Sequence, residues 1–170
     1  MALDLKPRKY LEMLKAEYEE YKVSPLSTVM RKAINCCSLS NAMPEIIFAE
    51  YKDKAPQKVN GAKCHEDYRD YLRRECEAHH TVRDFCDFSK HGPVLRRQKP
   101  KVPAAVRVSV RDAKHIIRQE GIFRGLLAIT QIKEIERLVV THRDGREQPM
   151  DEVLAQAINS WEVIFKRDGL

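Results

Sequence analysis

The stretch DEVLAQAINSWEVIFKRDG, residues 151–169, carries the clearest fold signal in the chain. Its apolar residues recur at three- and four-residue intervals, with acidic residues at its start and Lys166 and Arg167 near its end. This pattern predicts an amphipathic helix whose terminal charges complement the helix dipole. The residues expected to face inward are Val153, Leu154, Ala157, Ile158, Trp161, Ile164 and Phe165. A stripe centred on tryptophan needs a large apolar partner, so we expect this helix to pack back on other helices.

Helical spacing of apolar residues also fills much of the first half of the chain. It predicts helices over 7–22, 26–54, 64–79 and 79–91, and leaves open whether the last two are continuous. Pro44 interrupts the second segment, and it either kinks one long helix or starts a new helix after an Asn41 cap. We favour one long kinked helix.

The pattern changes after Gly92 and Pro93, which form the expected helix stop. The stretch VRVSV (106–110) alternates with period two, GIFRGLLAIT (121–130) is compatible with a strand, and EIERLVVTHRDGREQ (134–148) contains an Asp-Gly turn. We predict an antiparallel meander of two or three strands. The whole chain is then one α+β, mainly α domain over 1–170, with a helical bundle part (1–92), a basic connection and β meander (93–148) and a C-terminal helix (149–170).

The composition is that of a charge-rich globular protein. Of the 170 residues, 33% are charged and 43% are hydrophobic, and no apolar run approaches the roughly 20 residues of a membrane span. The N-terminal stretch lacks the hydrophobic segment of a secretory signal, so we expect a cytoplasmic protein with no membrane partner. The formal net charge of +6 favours contact with a polyanion such as RNA.

The five cysteines, an odd number without a C-x-x-C motif, indicate thiols rather than a disulfide framework. We expect them to be reduced and mostly buried. The adjacent Cys36 and Cys37 should point to different faces of their helix.

The stretch AHHTVRDFCDFSKHG, residues 78–92, holds the candidate site. Helical winding puts Val82, Phe85, Cys86 and Ser89 on one side of the fourth helix. It puts a polar stripe of His80, Asp84, Asp87 and His91 on the other side, bordered by Arg83 and Lys90. These spacings of four, three and four residues allow the polar side chains to converge.

Three chemical interpretations of this stripe remain open. A histidine acting as acid or base beside a phosphate-binding Arg83 would suit metal-independent RNA cleavage. Histidines and carboxylates on one stripe would suit a divalent metal. The pairs Arg83–Asp87, His80–Asp84 and Asp87–His91 would otherwise be ordinary ion pairs one helical turn apart.

Other chemistries have less support in the sequence. A zinc site built from Cys64, His65, Cys76, His79 and His80 matches no established spacing, and we expect no metal. The chain has no G-x-S-x-G elbow, no P-loop and no G-x-G-x-x-G motif, so we expect no cofactor. A basic cluster, by contrast, is compatible with phosphate contacts. Its members are Arg96, Arg97, Lys99, Lys101, Arg107 and Arg111.

The layout over residues 25–92 resembles the HEPN (higher eukaryotes and prokaryotes nucleotide-binding) superfamily. The resemblance is carried by the end of the fourth helix, where Asp84 is followed by Asp87, Ser89 and the closing Lys90-His91. HEPN nucleases have an Arg followed after four to six residues by a His. They also have a polar residue directly after the Arg. Here Arg83 is followed by the polar Asp84, but seven residues separate it from His91. Arg74 and His79 are separated by four residues, although Glu75 follows that Arg and the run lies one turn earlier.

The resemblance implies a helical bundle that binds nucleotides or partners and that often dimerises. We therefore expect a bacterial type of binding or accessory protein, in a toxin–antitoxin or defence setting, whose partner is RNA or a protein encoded nearby, and which forms a homodimer. The alternative is a metal-independent endoribonuclease. Its catalytic residues would be His91 as general acid or base, Arg83 on the scissile phosphate, and Asp84 or Asp87 orienting the histidine. The expected RNA-binding residues are Lys90, Arg96, Arg97, Lys99 and Lys101.

Overall fold

Helices make up most of the described structure. The computed structural model describes residues 6–91, 106–111, 137–142 and 144–170. Within these ranges the helices are α1 (Pro7–Lys22), α2 (Leu26–Tyr51), α3 (His65–Glu75), α4 (Glu77–His91) and α5 (Met150–Asp168), with a 3-10 turn at Pro56–Val59. The predicted α+β, mainly α fold is confirmed, and α1 has the predicted bounds.

The second predicted helix is a single element that contains Pro44. A proline inside a helix removes one backbone hydrogen bond and pushes on the carbonyl four residues earlier, which here belongs to Ser40. The preference for one long helix is confirmed, although α2 ends at Tyr51 rather than at residue 54. Tertiary packing compensates for the lost bond, because α2 contacts α1, α3, α4 and α5.

The boundary between α3 and α4 differs from the prediction. The third helix ends at Glu75 rather than at residue 79, and Cys76 is extended, with φ −148° and ψ 118°. The fourth helix already begins at Glu77, so His79 belongs to the first turn of α4. One extended residue is enough to redirect the chain, and it allows α3 and α4 to pack against each other.

Three strands form the predicted meander. They are β1 (Val106–Arg111), β2 (Arg137–His142) and β3 (Glu147–Pro149), and they pair antiparallel in the order β1-β2-β3. The predicted Asp144-Gly145 turn joins β2 to β3, and Gly145 has a φ of +83° that favours glycine. Residues 121–130, expected to be compatible with a strand, lie outside the described residues.

The last helix packs on the earlier ones, as predicted. It contacts α1, α2 and α4, and all seven of its predicted inward residues are buried. Trp161 is completely inaccessible to solvent. The sheet lies beside the same helix, since α5 also contacts β2 and β3.

The cysteines are free thiols, as predicted, and Cys36, Cys37 and Cys86 are buried. Although Cys36 and Cys37 leave the helix in different directions, neither is accessible to solvent. Burial, together with the nearby Glu17 of α1, raises the pKa of Cys36 to about 12. Burial and a hydrogen bond with Cys86 of α4 raise the pKa of Cys37 well above its usual value. The two thiols therefore face α1 and α4 respectively.

None of the helices in the described parts of the chain is long and apolar enough to cross a membrane.

Candidate functional site

The polar stripe predicted on α4 is partly sunk into the protein. Val82, Phe85 and Cys86 are buried on the core side, as the helical winding predicts. Asp84 belongs to the polar side, yet only 5% of the residue is accessible to solvent. The middle of the stripe is therefore covered, which agrees with the packing of α4 against α2, α3 and α5.

His80 and Asp84 form the inner pair of the stripe. The Nε2 atom of His80 lies 3.8 Å from Oδ2 of Asp84, as the spacing of one helical turn predicts. The histidine side chain is 25% exposed and the carboxylate only 3%. A buried carboxylate behind a more accessible imidazole can orient the ring.

Arg83 and Asp87 form the outer pair. Nε of Arg83 lies 3.6 Å from Oδ2 of Asp87, and the two side chains are 27% and 28% exposed. Three of the predicted catalytic residues thus lie on α4, where Arg83 pairs with Asp87 and Asp84 pairs with His80. In this arrangement Arg83 faces a carboxylate where a nuclease would require it to face a phosphate.

The remaining predicted site residues lie largely beyond what the structure describes. The backbone of α4 continues through Lys90 and His91, but their side chains are outside the described atoms. The predicted RNA-binding residues Arg96, Arg97, Lys99 and Lys101 lie in the undescribed range 92–105. The roles expected for these six residues stay predictions.

Two arginines of α3 extend the site, and the sequence analysis did not single them out. Arg69 and Arg73 are one helical turn apart, and their side chains are only 19% and 13% exposed. Arg69 pairs with Glu45, and Nη1 of Arg73 donates to Oδ1 of Asp70 at 2.8 Å. The Nε atom of each arginine is buried without a hydrogen-bond partner. Such a donor costs about 1–3 kcal/mol when it is left unsatisfied.

Positive charges crowd around Arg73. Burial, and then the neighbouring charge of Arg83, lower the pKa of Arg73 to about 10, and Arg69 acts in the same direction. The carboxylates of Asp70 and Asp84 oppose this shift without cancelling it. In the groove between α3 and α4, Arg83 and Arg69 are therefore both close enough to Arg73 to disfavour its charged form.

A chain of buried polar groups lies below this groove. His79 stacks at a tilt on Trp161, with 4.6 Å between the ring centroids, and its Nε2 is 3.0 Å from Oγ of Ser160. Burial, and then the positive charge of Arg73, lower the pKa of His79 to about 4, so the ring is neutral at pH 7. Nε1 of Trp161 donates to Oγ of Ser40 at 3.0 Å.

A pocket connects the arginines with this chain of polar groups. It is small, with room for about one water molecule. Among the residues that line it are Ser40, Asn41, Arg69, Arg73, His79 and Trp161. Pro44 and Val82 also line the pocket, so it lies where the proline interrupts the hydrogen bonding of α2. Two sequence signals could have pointed here: the i,i+4 arginines of RDYLR and the proline inside α2.

The metal interpretations receive no support from the described residues. Among residues 6–91, 106–111, 137–142 and 144–170, no group of three or more His, Cys, Asp or Glu side chains is arranged to hold a metal ion. The suggested zinc ligands are divided among different partners. His65 pairs with Glu66 at 2.9 Å, whereas His79 contacts Ser160 and His80 contacts Asp84.

Comparison of the chain with protein-family models, with curated proteins and with solved structures gives no match.

Proposed function

We propose that this chain is a HEPN-like cytoplasmic binding or accessory protein, of a bacterial toxin–antitoxin or defence system, that contacts RNA through the groove between α3 and α4. The observation that carries the proposal is the crowding of Arg69, Arg73 and Arg83. Burial, and then the neighbouring charge of Arg83, lower the pKa of Arg73 although Asp70 is paired with it, so a further anion beside it would stabilise its charged form. A phosphate backbone can supply such an anion.

The charge of the whole chain supports the same partner. The net charge of +6 attracts a polyanion at long range. The basic run at Arg96, Arg97, Lys99 and Lys101 follows α4 directly in the sequence, so an RNA strand held near Arg83 would have further phosphate contacts available. A protein partner encoded nearby and the formation of a homodimer remain predictions.

A second candidate function is metal-independent RNA cleavage. It is favoured by the pairing of His80 with the buried Asp84 at 3.8 Å, since an imidazole held by a carboxylate is a suitable general acid or base. Arg83 lies on the same helix, three residues from His80. We rank this function second because the histidine of this pair is His80, whereas the resemblance to HEPN nucleases implies His91 as the general acid or base.

Removing the charge of Arg83 tests the proposed binding. We expect Arg83→Gln to weaken binding of a short, labelled single-stranded RNA about tenfold, because one charge-assisted contact is lost. The slope of log affinity against log salt should also become shallower by about 0.7. Fluorescence anisotropy over a salt series measures both quantities.

The matched control is Arg31→Gln. Arg31 is exposed on α2 near Glu17 of α1, so this variant removes the same charge from a different surface. Equal loss of affinity in both variants would reduce the proposal to general electrostatic attraction. If the wild type does not bind RNA at low salt, the proposed RNA binding is refuted and a protein remains as the expected partner. RNA that is cut in the presence of EDTA, with cleavage lost in His80→Gln and Arg83→Gln, would replace it with the second candidate.

A further inference from the structure

The three-stranded sheet has one face toward the helices and one face away from them. Successive residues of a strand alternate between the two faces, and directly opposite residues of paired strands belong to the same face. Leu138 and Val140 of β2 belong to the core cluster, whereas Val139 is buried without being part of that cluster. The odd-numbered positions of β1 and β2 therefore form the outer face of the sheet.

Three arginines occupy positions on this outer face, and we refer to them as the arginine face. Arg111 of β1 is directly opposite Arg137 of β2, and Arg107 lies four residues before Arg111 on β1. Directly opposite positions have Cβ atoms about 4.5–5.5 Å apart, and like charges there destabilise a sheet. A phosphate between two such arginines replaces their repulsion with two charge-assisted hydrogen bonds.

The acidic residue at the described paired positions of this face is distant from the opposing arginines. It is Glu147 of β3, which is the strand partner of Thr141 in the same row as Arg107. Because Thr141 and Arg137 are four residues apart on β2, this row is about 14 Å along the strands from Arg111 and Arg137. Glu147 is exposed and Thr141 is partly exposed, so this end of the face is open to solvent.

We propose that the arginine face binds the phosphate backbone of RNA, with one phosphate held between Arg111 and Arg137 and another at Arg107. The inference deepens the proposed function, because it adds a second contact surface for the same RNA, and it rests on that function for the identity of the polyanion. β1 packs against α4, so the strand with two of these arginines is adjacent to the helix that carries Arg83. Contacts to phosphates position a nucleic acid without reading its bases, and we therefore expect binding to be independent of sequence.

The charge around the sheet favours RNA over a folded protein as the occupant. The stretch 96–101, shortly before β1, contains four more basic residues, and the chain has a net charge of +6. A polyanion with a charge on every nucleotide can follow such an extended basic surface, whereas an acidic patch on a protein is limited in area. Each neutralised phosphate also releases a counterion, which makes the affinity depend on salt.

The test measures binding of a short, labelled single-stranded RNA by fluorescence anisotropy in Arg111→Gln, in Arg137→Gln and in the double variant. Each single change should weaken binding about tenfold and reduce the slope of log affinity against log salt by about 0.7. The loss in the double variant should be smaller than the two single losses combined, because the repulsion that RNA relieves in the wild type is already absent from each single variant. Arg31→Gln on α2 is the control with the same change of charge. Thermal unfolding without RNA verifies that each variant is folded, and removing one of two opposing charges should not lower the melting temperature.

The outcomes separate this inference from the proposed function. Losses no larger than that of Arg31→Gln would overturn the arginine face, and Arg83→Gln would then decide the groove separately. Weakened binding in the sheet variants with Arg83→Gln unaffected would support the arginine face and refute the groove. Additive losses would mean that Arg111 and Arg137 act as separate charges, which would overturn the shared phosphate. Tighter binding of polyglutamate than of RNA at equal charge would overturn RNA in favour of an acidic protein, and a wild type that binds neither polyanion would refute both proposals.

Discussion

Acidification from pH 7 to pH 4 is expected to lower the free energy of unfolding by about 3 kcal/mol through His79 alone. Its pKa in the folded protein is about 4, because the ring is buried and Arg73 is close, whereas an unfolded chain has an ordinary histidine near 6.5. At pH values between these two pKa values, His79 binds a proton in the unfolded state but not in the folded state. The stabilisation is therefore complete above pH 6.5 and is lost progressively as the pH falls toward 4.

The measurement is urea unfolding of the wild type and of His79→Gln at several pH values. Glutamine does not titrate, and the carboxylates titrate in both proteins, so the difference between the two unfolding free energies isolates His79. That difference should move in favour of the variant as the pH falls. His80→Gln, which removes a more exposed imidazole from the adjacent position, is the matched control. Parallel pH curves for wild type and His79→Gln would show that His79 is protonated equally easily in the folded protein.

Replacing Trp161 by alanine should destabilise the protein by about 3–5 kcal/mol, the range for deleting a large buried aromatic side chain. Trp161 is inaccessible to solvent, contacts the tilted ring of His79 with 4.6 Å between the ring centroids, and donates to Ser40 across the interface between α5 and α2. Its removal leaves a cavity at the centre of the bundle and removes one wall of the pocket. Chemical denaturation monitored by circular dichroism measures the loss.

Two smaller substitutions separate the ring from its N–H group. Trp161→Phe keeps an aromatic ring but removes the donor to Ser40, and it should cost less than the alanine variant. A double-mutant cycle of Trp161→Phe with Ser40→Ala should show coupling, because both changes remove the same hydrogen bond. A loss below about 2 kcal/mol in Trp161→Ala would contradict the central packing described for this residue.

The part of the candidate site that could be predicted from the sequence is the part that is local. His80–Asp84 and Arg83–Asp87 are pairs within one helix, and the helical repeat alone brings their side chains to the same side. The bounds of α1 and the inward face of α5 were predictable for the same reason, because a periodic apolar stripe depends only on neighbours along the chain.

The part that could not be predicted depends on contacts between distant segments. Arg73 becomes part of the site because Cys76 is extended, which folds α3 back against α4, and nothing in the sequence around Cys76 requires that conformation. The burial of Asp84 is likewise determined by the elements that pack against α4 and not by the position of Asp84 in the helical repeat. His79 was predicted at the boundary of the third and fourth helices, whereas it lies in the first turn of α4, and its neutral state follows from burial that periodicity does not report.

By itself, the sequence determined which segments are helices or strands, which side of each helix is apolar, and that the chain carries a positive net charge. These properties follow from local periodicity and from a sum over residues. Only the tertiary structure decided that three arginines meet between α3 and α4, and that a pocket with two unsatisfied donors opens beside Pro44 above Trp161. Electrostatic repulsion, desolvation and hydrogen-bond satisfaction act between residues that are close in space, and closeness in space across helices is established by packing.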